Sequence, residues 1–274
     1  MRDFTTILIL TAASLGLAVL FFLDPAVIGS IPYGAFTFTF AFIVCFWVAW
    51  RLRHIPSGTT EDVASLMKTL RAYFFVMGFF FFFDGWAHVG IPVFYPLPLI
   101  ASHAHTFSHI FFFIGNAIII RIPVSFINRR WMNAASMSQV IFGVVTIVWR
   151  LGHLDTLVYA FGPTMPPLVI VDRVSDTLFL FGNGLALLLP GLYLVYLGLS
   201  RTIGDSRVRA VMLGLGMMIF FSVGPVIDLI QNQYTQLIIH LCIASSFGLM
   251  GASAFYRTRS RLSEAGRVAP PQAV

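Results

Sequence analysis

The segment AYFFVMGFFFFFDGWAHVGIPVFYPLPLIASHAHTFSHIFFFIGNAIII, residues 72–120 between Arg71 and Arg121, decides how this chain is solvated. It holds two apolar runs, 70–94 and 98–120, separated by Pro92, Pro96 and Pro98. A helix needs about 20 apolar residues to cross the hydrocarbon of a bilayer, and each run supplies them. Prolines break the path between the runs. The segment therefore reads as a transmembrane hairpin with both flanking arginines on one side.

The pattern repeats along the chain. Further apolar runs cover 4–23, 34–52, 135–158, 175–199, 208–228 and 234–256, with Pro25, Pro32, Gly162, Pro163, Pro166 and Pro167 among the separators. Of the 274 residues, 58% are hydrophobic and 10% charged, and 29 are phenylalanine. Mean hydropathy is +0.88. A soluble domain carries about 25% charged residues, so the solvent for this much apolar surface is lipid. The fold class expected is an all-α integral membrane protein of about eight transmembrane helices, with residues 1–260 as one polytopic domain. Residues 261–274, with Pro270 and Pro271, read as a disordered cytoplasmic tail.

Charge sets the orientation. The net charge of +6 does not indicate a nucleic-acid partner, because the arginines sit in short links between apolar runs. Arg2, Arg51, Arg53, Arg71, Arg121, Arg129, Arg130, Arg201, Arg207, Arg209 and Arg257 all fall on one side of such a topology. The opposite links hold little beyond Asp24, Asp172 and Arg173. The excess of cationic residues marks the cytoplasmic face. Both termini are thus placed in the cytoplasm, in a cell inner membrane. The run 4–23 lacks a small-residue cleavage site before Asp24, so it reads as a retained helix. Cys45 and Cys242 lie inside apolar runs, and no disulfide framework is expected.

Two hairpins look alike. Arg71-Ala72 opens the first and Arg209-Ala210 opens another that closes at Arg257. Each has an aspartate near the outer end of its leading helix, Asp84 and Asp228, and histidines in its return helix. This spacing suggests two four-helix halves in the same orientation. Ordinary resemblance between transmembrane hairpins is the alternative.

Ionisable groups inside a bilayer cost several kcal/mol unless paired or ligated, and this chain concentrates them in the outer half. Asp84 and His88 stand at i, i+4 on one helix, and His105 and His109 at i, i+4 on the next. Residues at that spacing share a face. Counted from the outer turn at about 1.5 Å per residue, Asp84 and His109 lie roughly 12–17 Å deep, with His88 and His105 one turn shallower. Imidazole and carboxylate ligands at this density suit copper, zinc or iron. A hydrogen-bonded Asp–His network that fixes helix register is the competing reading. His103 lies on a different face from His105 and reads as interfacial. Arg150 and His153 share a face near the end of the fifth run. Arg150 reads as pairing with Asp155, Asp172 or Asp176, or as neutralising a buried carboxylate or anion. Ser175 reads as a helix N-cap, Pro190 as a kink, and Asp228 with His240 as a clasp between the last two helices.

Over the hairpin alone, Asp84-x3-His88 followed by His103 or His105 resembles the copper-site motif in the C subunit of membrane-bound ammonia and methane monooxygenases. Fourteen residues separate His88 from His103 and sixteen separate it from His105, more than in that pattern. The resemblance implies copper chemistry at these side chains and extends no further along the chain.

Three readings of function stand on these residues. In the first, Asp84, His88, His105 and His109 hold a transition metal for redox or hydrolytic chemistry, within a membrane oxidoreductase or metalloenzyme complex. In the second, the chain is a proton-coupled transporter or sensor that uses the Asp/His/Arg cluster directly. In the third, it is a b-type haem subunit passing electrons to or from quinone, with His109 paired with His153 or His240. No serine, cysteine or lysine is set up as a nucleophile, so enzyme activity stays open. The expected partners are the lipid bilayer and either other membrane subunits or a second copy of the chain.

Overall fold

The computed structural model describes residues 2–23, 34–54, 61–87, 98–153, 158–162, 165–170, 173–229 and 233–256. The architecture is helical, with α1 (Arg2–Leu23), α2 (Gly34–Arg51), α3 (Glu61–Gly85), α4 (Pro98–Ile119), α5 (Arg121–Ile127), α6 (Met132–Gly152), α7 (Arg173–Asn183), α8 (Leu189–Ser200), α9 (Gly204–Leu229) and α10 (Gln233–Phe255). Among the described residues, six helical stretches are long and apolar enough to cross a membrane: Val63–Gly85, Ser102–Ile127, Arg129–Gly152, Thr177–Ser200, Gly204–Val223 and Ile238–Phe255. Shorter apolar stretches cover Asp3–Leu17 and Thr37–Arg51. The sequence expects helices alone. One addition is a small antiparallel hairpin of β1 (Val158–Gly162) and β2 (Met165–Ile170), between α6 and α7. The 261–274 tail lies outside the described residues.

Consecutive helices pack side by side: α2 on α3, α3 on α4, α4 on α6, α6 on α7, α8 on α9 and α9 on α10. The ring closes where α10 packs on α2, with α1 against α10. Phenylalanines fill its centre. Phe81 of α3 meets Phe247 of α10 at 4.7 Å between ring centroids, and Phe247 meets Phe220 of α9 at 5.0 Å. Phe112 of α4 lies 5.8 Å from Phe220 and 5.0 Å from Phe179 of α7. Edge-on and tilted contacts of this kind suit the aromatic quadrupole. In lipid, where apolar burial gives little drive to bring helices together, they supply dispersion contact instead.

Between α7 and α8 the helix widens into a π-helical turn, Gly184–Leu188, immediately before Pro190. This is how the expected proline kink is realised. A ring nitrogen without N–H cannot continue the normal ladder, and a wide turn absorbs the break. Ser175 lies inside α7 rather than at its cap.

Small residues set the tightest seam, between α8 and α9. A β-carbon on Gly214 would sit 2.6 Å from the Gly191 carbonyl oxygen, and one on Gly191 would sit 2.8 Å from the Gly214 carbonyl. Two backbones that close tolerate no side chain on either. At one end of the bundle, Asp3 of α1 pairs with Arg51 of α2 at 2.7 Å. There too, Arg209 donates to the Tyr256 carbonyl at 2.6 and 2.9 Å.

Gly214→Val is therefore expected to lower stability by about 1–3 kcal/mol, read by reversible denaturation in mixed micelles. Gly16→Ala, at a position with nothing within 4 Å, leaves stability unchanged or slightly raised. Equal effects at both positions would contradict the close α8–α9 approach.

Candidate metal centre

Helix α3 carries a long phenylalanine stretch, and Asp84 is the acid that follows it. Asp84 is buried, and so are His105, Ser108 and His109 of α4. The α3–α4 packing brings the two faces together. His105 Nδ1 lies 2.8 Å from Asp84 Oδ1. Ser108 Oγ donates towards the same carboxylate oxygen at 3.0 Å and towards the His105 carbonyl at 2.7 Å, two acceptors sharing one proton. His109 Nδ1 lies 2.8 Å from the His105 carbonyl, one turn back along its own helix.

These bonds decide which nitrogen of each ring stays basic. A carbonyl can only accept, so Nδ1 of His109 carries the proton and Nε2 carries the lone pair. The carboxylate imposes the same tautomer on His105. Metal-binding histidines commonly have their second ring nitrogen tied in this way to a carboxylate or a backbone carbonyl. One ligand atom from each of Asp84, His105 and His109 can be chosen so that all three lie within 4.8 Å of one another. Among the described residues this is the one group of three or more histidine, cysteine or acidic side chains so placed.

Aromatic rings wall the group. The His109 ring stands 4.9 Å from Phe179, 5.9 Å from Phe80 and 6.0 Å from Phe112, centroid to centroid. The His105 and His109 rings stand 4.3 Å apart at a steep angle. Arg150 also lies against Phe179, with its guanidinium carbon 5.7 Å from the ring centroid. Arg150 is 2% exposed, so it points into the bundle instead of snorkelling to the surface. Its Nε donates to Ser175 Oγ at 2.5 Å. Phe179 of α7 thus touches both the cation from α6 and, edge-on, the His109 imidazole from α4.

The expected ligand set is recovered in part. Asp84, His105 and His109 come together, with His105 and not His109 as the carboxylate's direct partner. His88 lies outside the described residues, as do Asp155, Asp172 and the side chains of Asp176 and Asp228. His103 is exposed, as expected of an interfacial residue. The two histidines assigned to a haem or other cofactor stand elsewhere. His153 is exposed at the end of α6, stacked on Trp149 at 4.1 Å, with Nδ1 2.8 Å from the Trp149 carbonyl. His240 of α10 is buried and hydrogen-bonds Thr37 of α2, across the seam that closes the ring. That contact fastens α10 to α2, whereas the expected clasp with Asp228 involves a side chain outside the described residues. Ser108 was not singled out by the sequence, because a serine three residues after a histidine carries no signal until the helix partner is known.

No family model, curated protein or solved structure matches this chain. The chemistry therefore rests on the residues themselves.

Asp84→Leu leaves a buried imidazole N–H and the Ser108 hydroxyl without their carboxylate. It should cost about 2–3 kcal/mol, and Ser108→Ala about 1 kcal/mol, as charge-assisted and ordinary hydrogen bonds do. Thermal unfolding in detergent measures both. A neutral Asp84→Leu would show that the network does not hold the hairpin.

Proposed function

We propose that this is a multi-pass protein of the cell inner membrane whose outer half holds a transition-metal ion on Asp84, His105 and His109, within a membrane oxidoreductase or metalloenzyme complex. The observation that carries the reading is the grouping itself: one ligand atom from each of Asp84, His105 and His109 can be chosen within 4.8 Å of the others, and both Nδ1 atoms have a fixed hydrogen-bond partner. In this reading α1 and α2 also cross the bilayer, giving eight spans with both termini in the cytoplasm. The arginines at the α2, α5 and α9 ends support that orientation. His88, one turn beyond Asp84 in sequence, is a further candidate ligand.

The protein's own charges favour a particular kind of chemistry. A divalent ion held by one carboxylate and two neutral imidazoles would keep a net positive charge. Such a site would stabilise an oxygen atom that gains negative charge, the Lewis-acid role of a bound metal. Ser108 keeps Asp84 oriented. Zinc, copper and iron all suit nitrogen and oxygen donors. The phenylalanines around His109 leave less room for a macrocycle than for an ion, which favours the metal over haem.

A second reading uses the same residues without metal, as the proton path of a transporter or sensor. The buried stripe Gln139, Gly143, Thr146 and Arg150 along α6 favours it, because three of the four are polar and face the bundle.

Elemental analysis of the detergent-purified protein, with an absorption spectrum, separates the readings. The expected result is about one equivalent of metal and no Soret band, with metal lost in His105→Ala and His109→Ala. Wild-type protein that purifies without metal from metal-replete cells would reject the first reading. Loss of coupling in Asp84→Asn, with no metal in wild type, would favour the second.

A further inference from the structure

Three amides lie deeper in the bundle than the outer cluster, on the same three helices. Asn116 stands seven residues along α4 from His109, and Asn183 eight residues along α7 from Ser175. Gln139 stands eleven residues back along α6 from Arg150. Seven and eleven residues are close to whole numbers of helical turns, and a spacing of eight keeps Asn183 on the same helical stripe as Ser175, so each amide shares a face with a member of the outer cluster. Phe112, Phe113 and Phe179 lie between the two levels, with Phe113 5.9 Å from both Phe112 and Phe179.

The α4–α6 register places Gln139 against Asn116. Ser136 Oγ donates to the Ala117 carbonyl at 2.6 Å. One turn on the other side of Gln139, Gly143 lies so close to Phe113 that a β-carbon there would sit 2.7 Å from its ring. Gln139 falls between these two contacts on the same stripe and is 0% exposed. Asn116 donates from Nδ2 to Asn183 Oδ1 at 2.8 Å. Asn116 Oδ1, Gln139 Oε1 and Gln139 Nε2 have no hydrogen-bond partner among the described residues.

Two acceptors and an NH2 donor left bare would each pay the full desolvation penalty of a polar group in an apolar interior. Three such atoms at one helix seam are not tolerated dry in a bilayer. A water molecule needs two to four polar partners, and these atoms provide them. We infer that Asn116, Gln139 and Asn183 form an internal water-binding site, separated from the Asp84–His105–His109 cluster by a single phenylalanine layer. The site gives the bundle a polar step below the outer cluster, one from which water or a proton reaches the histidines when the rings move. It stands whether or not the outer cluster binds metal.

Two measurements test it. Infrared difference spectra of the wild-type protein in ordinary and heavy-oxygen water should show the O–H stretch of a weakly hydrogen-bonded internal water. That band should vanish in Gln139→Leu. No isotope-sensitive band in wild type, or a band that survives in Gln139→Leu, overturns the inference. The second readout is the sign of a stability change. A hydrated site loses its bridge in Gln139→Leu and strands Asn116 Oδ1, so the melting temperature falls by several degrees. A dry site is relieved of two unsatisfied atoms, so the melting temperature rises, and a rise rejects the proposal. Gln139→Met, of similar length, repeats the sign test if the leucine variant does not fold, and the wild-type spectrum is decisive without either.

Discussion

A carboxylate cannot remain bare between phenylalanine-rich helices, and the donors that hold Asp84 fix the rest of that end of the bundle. His105 and Ser108 reach it from α4, which sets the register of α3 against α4. That register in turn places His109 one turn further in, against Phe80 and Phe179. Sliding α4 by one residue along α3 would swing His105 away by about 100° and leave both partners unsatisfied. The hydrogen bonds therefore do more to select one arrangement of the hairpin than the surrounding rings, which can slide past one another at small cost.

The interior is built in levels. Towards one end is the charged and imidazole level of Asp84, His105, His109 and Arg150. Next come phenylalanines from several helices, and then the amides Asn116, Gln139 and Asn183. Some hydroxyls are satisfied within their own helix, Thr106 on the Ser102 carbonyl and Thr146 on the Phe142 carbonyl, and these place no demand on neighbouring helices. The groups that do reach between helices are few: carboxylate, imidazole, guanidinium and amide, with the hydroxyls of Thr37, Ser108, Ser136 and Ser175. Each lies on a face already committed to packing. In such an interior the aromatic level insulates the polar ones electrostatically, which strengthens interactions within each.

How much of this was legible beforehand depended on range. Apolar length and arginine placement announced a helical membrane protein, because both are local properties of the chain. The i, i+4 spacing of His105 and His109, opposite an aspartate across a proline-rich turn, announced the candidate metal centre for the same reason. For Arg150 the sequence left both an ion pair near the interface and an inward, neutralising role open, and it could not choose between them. Its inward direction follows from Ser175 and Phe179 on a helix more than twenty residues away. Thr37 could not be foreseen as the partner of His240, since their contact spans most of the chain. Gln139 passed unnoticed, although its spacing to Gly143, Thr146 and Arg150 is a helical stripe that could have been counted. The β1–β2 hairpin was hidden by its glycine and prolines, which read simply as a link.

The closure of the helix ring by α10 on α2 has a bearing on biogenesis. Helices enter a bilayer in order as they are synthesised, and here each early neighbour finds its mate at once. The aromatic centre is completed only by Phe247 on α10. Phe81 and Phe220 stand 6.2 Å apart, and until α10 is delivered the sides they turn to Phe247 meet lipid or the insertion machinery. Productive assembly thus waits on α10, and a nascent bundle lacking it is the state that membrane quality control would encounter.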